Sequence, residues 1–272
     1  MMLQTEQAYK IANLHELSTE EILEGINEAD QSVALCISQR LHDIQSVVDV
    51  IVTSIRGGGR VFYIGAGTSG RLGVLDSSEC PPTFGVDPTL IQGVIAGGDA
   101  ALRQAVEYAE DDTTAGWLKL QESGITNKDI VIGISASGHT PYVLATLKNA
   151  VKNGILTGCI VCNDNSPIQQ MSQYPIVIPT GPEIIAGSTR MKAGTAQKMV
   201  LNMISTTVMI RLGRVKGNKM VDMELKNNKL YNRAVRMVME ETGCTEIIAR
   251  QLIEKYKSVR QSIACFQVDC EK

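Results

Sequence analysis

The chain has 272 residues, 44% of them hydrophobic, with 26 Lys and Arg against 29 Asp and Glu and a formal net charge of −3. The charges are interleaved, which argues against a nucleic-acid partner, and any anion site has to be local. A chain this long and apolar buries a full core, so one main domain is expected. Seven cysteines in a chain of this size, behind the polar opening MMLQTEQAYK with no apolar leader, read as reduced thiols of a cytoplasmic protein. Charge or glycine breaks every apolar stretch before the roughly 20 residues that a membrane-spanning helix needs, so no membrane partner is expected.

Ser18 and Glu21 form a capping-box pattern ahead of EILEGINEAD, and a second periodic segment runs from about 30 to 55, ending at Gly57, Gly58 and Gly59. Five short apolar runs follow, RVFYIG, LIQGVIAGG, DIVIGISAS, GCIVCND and YPIVIPT, with amphipathic helical segments between them. Parallel strands need right-handed crossovers and two covered faces, which predicts a doubly wound αβα sandwich of about five parallel strands with its ligand site at their carboxyl ends. The expected organisation is an N-terminal helical segment over 1–56 packing on the core, the α/β domain over 57–224 and a helical tail over 225–272. A long helix is predicted from after Gly187 to about Gly213; its Met-rich half is read as core and partly as a subunit contact. The tail reads as two or three short charged helices broken at Gly243 and carries no chemical motif.

After the first strand, Gly65, Gly67 and Gly70 match G-x-G-x-x-G, a weak signal alone. A dinucleotide site would place an acidic residue at the end of the second strand, but Asp87 precedes that strand and Gly97 and Gly98 end it, which disfavours NAD. A small anion or sugar held at Gly67, Thr68 and Ser69 fits better, because a plain glycine turn leaves the two hydroxyls unexplained. In SASGHTPY, Ser135, Ser137, Gly138 and Thr140 stand just ahead of a helix; capping accounts for one hydroxyl, and three can wrap a phosphate. In GSTRMKAG, Ser188, Thr189, Arg190 and Lys192 cluster at the start of the long helix, where ligand contact and plain solvation of the two charges both stay open. Cys159 and Cys162 lie in an apolar run and read as core thiols, and His15, His42 and His139 lack metal-ligand spacing, so no metal site is expected.

The segments GAGTSGRLGVLDSSECPPTFG, ASGHTPYV and GSTRMKAGTAQKMVLNMISTTVMIRLGRV together closely resemble the N-acetylmuramic acid 6-phosphate etherase family, over about residues 17 to 222. The resemblance implies the sugar isomerase (SIS) fold, shared with sugar-phosphate isomerases and the glucokinase regulatory protein. It implies cleavage of the D-lactyl ether of a peptidoglycan-derived amino-sugar phosphate, with no cofactor, by a homodimer whose site lies near the subunit interface. It also implies that Glu79 in SSECPPT is the proton donor and Glu110 in EYAEDD the base at carbon 2. The chemistry is consistent with two carboxyl groups, because a proton must leave carbon 2 and another must reach the departing lactate oxygen. Beside Cys80, Pro81 and Pro82, Glu79 is expected to be desolvated. The chain departs from the family at Gln7, Ala8, Tyr9 and Lys10, where members carry an Arg-Asn pair, and its carboxyl end reads as shorter than usual. Two rivals stand: a non-catalytic sugar-phosphate sensor of the glucokinase regulatory protein type, and an aldose-ketose isomerase.

Overall fold

The computed structural model describes residues 3–106 and 108–270. The chain opens with α1 (Thr19–Ser38), held at its start by the capping box: Ser18 Oγ accepts from Glu21 N, and Glu21 Oε2 accepts from Ser18 N at 2.8 Å. There follow α2 (Leu41–Arg56), β1 (Val61–Gly65), α3 (Gly67–Phe84), β2 (Ile91–Ile95), α4 (Ala115–Glu122), β3 (Ile130–Ser135) and α5 (Pro141–Lys152). Next come β4 (Leu156–Val161), α6 (Pro167–Met171), β5 (Tyr174–Val177) and α7 (Lys192–Arg211), then α8 (Asn228–Thr242), α9 (Glu246–Tyr256) and α10 (Val259–Cys270). Two compact units result, Met1–Ser77 with Thr89–Val208, and Ser78–Pro88 with Met209–Lys272.

In the first unit the five described strands are parallel in the order β2-β1-β3-β4-β5, with Val61 level with Ile91 on one side and Ile130 on the other. Successive side chains of a strand point to opposite faces, and here both faces are apolar. Phe62, Ile64, Val131, Cys159 and Val161 pack with Leu120 of α4, Tyr142, Val143 and Leu147 of α5 and Ile168 of α6. Gly73 of α3 sits against the other face, where a Cβ would stand 3.1 Å from both Tyr63 Cβ and Ile134 Cδ1. The sandwich is therefore doubly wound, as expected. Each fully buried Leu or Ile in it stabilises the fold by roughly 1.5–3 kcal/mol. The strand order reverses between β1 and β3, so the carboxyl ends of those strands form the crevice where such folds bind ligands.

The Met-rich half of α7 serves the chain's own core: Val200, Leu201, Ile204, Val208 and Met209 are all fully buried. Of its methionines, Met209 is buried in that core, whereas Met199 and Met203 are half-buried. Cys159 and Cys162 are buried free thiols, and burial pushes them up to about 11 and about 12, so both stay protonated and inert. Among the described residues there is no cluster of metal-ligating side chains and no helix long and apolar enough to cross a membrane.

In the second unit α8, α9 and α10 enclose a core of Val221, Met223, Ala234, Val235, Val238, Ala249, Ile253, Val259 and Ile263. Asn227 caps α8 by accepting from Leu230 N, and Gly243 ends that helix. Arg260 fastens the unit's first loop, donating to both carboxylate oxygens of Asp222 at 2.7 and 2.8 Å and to the Gly213 carbonyl.

Candidate active site

The three hydroxyl-bearing segments meet in the first unit. At the end of β1, Gly65 and Gly70 lie so close that a Cβ on Gly65 would stand 2.6 Å from Gly70 N, which lets the start of α3 press against the strand. Those two glycines are packing glycines, and of the next candidate positions Gly67 is exposed and Thr68 half-buried. Ser69 is buried, and its hydroxyl donates to Gln197 Oε1 of α7 at 2.9 Å.

After β3 the hydroxyls converge. Ser135 Oγ lies 2.8 Å from Thr140 Oγ1 and 3.4 Å from Ser137 Oγ, and it accepts from Gly138 N at 3.1 Å. Thr140 occupies the N-cap position of α5 without making a side-chain cap, and Pro141 brings no N–H to that first turn. Capping therefore does not explain this set of hydroxyls. A helix start without a side-chain cap is a place where an anion can be held.

The third segment is held differently. Glu183, fully buried, accepts from Lys192 N and Ala193 N, each at 2.9 Å, so the first amides of α7 are already occupied by a carboxylate of the chain itself. Lys192 is buried, its ammonium donates to the Pro182 carbonyl at 3.2 Å, and it lies 5.7 Å from the Tyr9 ring centroid. Ser188 is half-buried and Arg190 is exposed. The first turn of α7 joins the other two loops: a Cβ on Gly194 would stand 3.4 Å from Thr68 Cγ2, and Ala193 packs with Ala136 and Cys162.

Glu110 is exposed on a short 3-10 turn, Ala109–Asp111, entered through Tyr108 in the left-handed region at φ 62°. It lines a cavity of about 200 Å³ with Gly67, Arg71, Ala101, Ala105 and Tyr108, which brings it to the first loop. Its neighbour Asp112 is taken by structure, accepting from Thr114 N, Thr114 Oγ1 and Ala115 N at the start of α4; these bonds hold its carboxyl below the usual range. Glu79 stands on α3 within the second unit, and its side chain is exposed, so the burial expected from Cys80, Pro81 and Pro82 is not found. In a helix, residues i+1 and i+2 point away from residue i, so Cys80 and Pro81 do not cover Glu79, and Pro82 at i+3 leaves it exposed.

Arg71, Glu183 and Gln197 escaped the sequence reading. Arg71 lies inside GAGTSGR and could have been weighed with that motif. Glu183 and Gln197 carry no local signal, because their partners are a helix start and a hydroxyl 128 positions away.

Residues 43–151 match the model of the glucokinase regulatory protein N-terminal SIS domain, 117–206 that of the SIS domain, and 217–264 that of the C-terminal lid domain of glucokinase regulatory protein. The carboxyl-terminal helices, motif-free to sequence reading, thus correspond to a recognised domain. A phosphoheptose isomerase from Francisella tularensis shares the fold at 14% identity, with a TM-score of 0.55 over 71% of this chain and 100% of that one. A ligand complex of an E. coli CFT073 protein superposes with a TM-score of 0.54 at 17% identity, over 74% of this chain and 97% of that one. An N-acetylmuramic acid 6-phosphate etherase of Christiangramia forsetii is 56% identical over 257 residues, 94% of this chain and 94% of the relative. One of Bacteroides fragilis strain NCTC 9343 is 54% identical over 97% of this chain and 94% of its own length. With identity at that level over nearly its whole length and three converging loops on an SIS sandwich, the chain belongs to the N-acetylmuramic acid 6-phosphate etherase family of enzymes.

Proposed function

We propose that this chain cleaves the D-lactyl ether of N-acetylmuramic acid 6-phosphate by elimination and hydration, giving N-acetylglucosamine 6-phosphate and D-lactate. The observation that carries the reading at the site is the convergence of the Ser135, Ser137 and Thr140 hydroxyls at the uncapped start of α5, a receptor for the phosphate. Thr68 and Ser188, at the two neighbouring loops, contribute hydroxyls to the sugar. Arg190 adds charge from the exposed end of its loop, whereas Lys192 holds that loop together from within.

In the reaction the opened sugar presents its aldehyde, and the Glu110 carboxylate takes the proton from carbon 2. The carbon–oxygen bond at carbon 3 breaks, its electron pair leaves with the lactate oxygen, and Glu79 supplies the proton that oxygen needs. Water then adds at carbon 3 of the unsaturated aldehyde, losing a proton to the Glu79 carboxylate, while Glu110, its proton exchanged with solvent, returns one to carbon 2; both carboxyl groups are thereby reset. No electron acceptor enters this balance, so the chain's own carboxyl groups suffice. The exposure of Glu110 and its place in the cavity beside Gly67 support its role as a base that meets substrate. The enzyme acts in the cytoplasm as a homodimer, the reading that the family resemblance implies.

The test is lactate release from N-acetylmuramic acid 6-phosphate in deuterium oxide by the unmodified chain, Glu79→Gln and Glu110→Gln. The unmodified chain should release lactate and leave deuterium at carbon 2, and each variant should lose roughly 10²–10⁴-fold in rate. Sedimentation should give twice the mass of one chain. A chain that binds the phosphosugar and releases no lactate would be the sensor, and one that interconverts aldose and ketose phosphates would be the isomerase.

A further inference from the structure

Thr5 is fully buried although it stands close to the beginning of the chain. A buried threonine has to satisfy its amide, carbonyl and hydroxyl. All three are satisfied by residues that belong to, or adjoin, two of the candidate loops. Thr5 N donates to Asn163 Oδ1 at 3.4 Å, Thr5 Oγ1 accepts from Asn163 Nδ2 at 3.1 Å, and Thr5 O accepts from Gly187 N at 3.1 Å. Asn163, 2% exposed at the end of β4, also donates to the Ala136 carbonyl at 2.9 Å. Ala136 separates Ser135 from Ser137, and Gly187 immediately precedes Ser188. One residue therefore ties the hydroxyl loop after β3 to the loop that carries Ser188 and Arg190. The same N-terminal segment brings the Tyr9 ring beside Lys192.

We propose that Thr5, acting through Asn163, is a positioning residue of the phosphosugar site, setting the separation of the 135–140 and 187–192 loops. The proposal rests on reading those loops as the place where the phosphosugar binds. A threonine needed only to fill space would be equivalent to valine, whereas here each polar atom has a partner that leads to a loop. Hydrogen bonds to a phosphate depend on donor positions held within a fraction of an ångström. The loops should grip substrate and transition state alike, since the phosphate is remote from carbons 2 and 3. Loosening them should therefore raise KM and leave kcat in place.

The experiment uses the full chain with Thr5→Val, Thr5→Ser, Asn163→Leu and the Thr5→Val/Asn163→Leu pair. Calorimetric binding of N-acetylglucosamine 6-phosphate is measured beside thermal melting and lactate-release kinetics. Thr5→Val and Asn163→Leu should each weaken binding about tenfold, the pair should lose little more than either alone, and Thr5→Ser should restore it. KM should rise by the same factor with kcat within about twofold. Unchanged affinity in Thr5→Val, with or without a lower melting temperature, would reduce Thr5 to a structural residue and overturn the proposal, as would an unmodified chain that does not bind the phosphosugar at all. An unmodified chain that binds it and releases no lactate would remove the etherase reading and leave the positioning role standing, provided Thr5→Val still weakens binding.

Discussion

Gly138 sits in the hydroxyl loop at φ +74°, and a Cβ there would overlap the Ser166 side chain. Both the backbone conformation and the close approach therefore require glycine, and the loop cannot relax around a methyl group without moving Ser135 or Ser166. Gly138→Ala should destabilise the protein by about 1–3 kcal/mol, read from its urea midpoint, and should weaken N-acetylglucosamine 6-phosphate binding more than tenfold. Equal affinity in the variant would mean that this loop does not hold the phosphate. The same residue shows what a sequence discloses at this scale. The pattern SASG announces a loop with hydroxyls, and those hydroxyls do converge, because neighbours along a tight turn are neighbours in space. Ser69 reads the same way in the sequence, yet its proton goes to Gln197, which only the fold brings to it.

Among the elements, α1 was legible to its first residue because a capping box is a local device. Ser18→Ala removes the acceptor for Glu21 N and the reciprocal arrangement with it, and should cost about 1 kcal/mol in chemical denaturation. A variant as stable as the unmodified chain would show that tertiary packing alone holds that end. The strands were legible for a related reason: strands buried on both faces are largely apolar runs, as β1, β3 and β4 are here. The turn that carries Glu110 was not, since its polar residues follow no period, and only the likeness to a family pointed to that carboxylate. The apolar run of α7 reads as core, and Val200, Leu201, Ile204 and Val208 in it are buried. Its methionines are equally suited to a core and to a partner's surface, and the difference is set by what packs around them.

At the scale of the whole molecule, the sequence disclosed the sandwich and the end of the sheet that bears the site. It did not disclose the buried polar ties that fix one element to another, because those pair residues far apart in the chain. Arg60 with Asp129 is one, and Asp76 is another. Asp76 of α3 is 5% exposed and accepts from Asn202 Nδ2 at 2.8 Å and Ser205 Oγ at 3.0 Å, both on α7. Burial raises its pKa above 3.8, and the bonds from Asn202 and Ser205 only partly offset that. In the window between the unfolded value and the raised folded value, the unfolded chain has released its proton while the folded chain still holds it. The folded state then binds more protons, so stability falls as pH rises through that window, and the loss is complete above the folded value. This is the reverse of the usual salt-bridged carboxylate. Asp76→Asn keeps the shape and an oxygen for Asn202 and Ser205 but cannot ionise. The difference in unfolding free energy, variant minus unmodified, should therefore grow in the variant's favour from about pH 4 towards pH 7 in urea titrations. A difference that stays constant over that range would show that the Asp76 carboxyl ionises equally readily in the folded and unfolded chains.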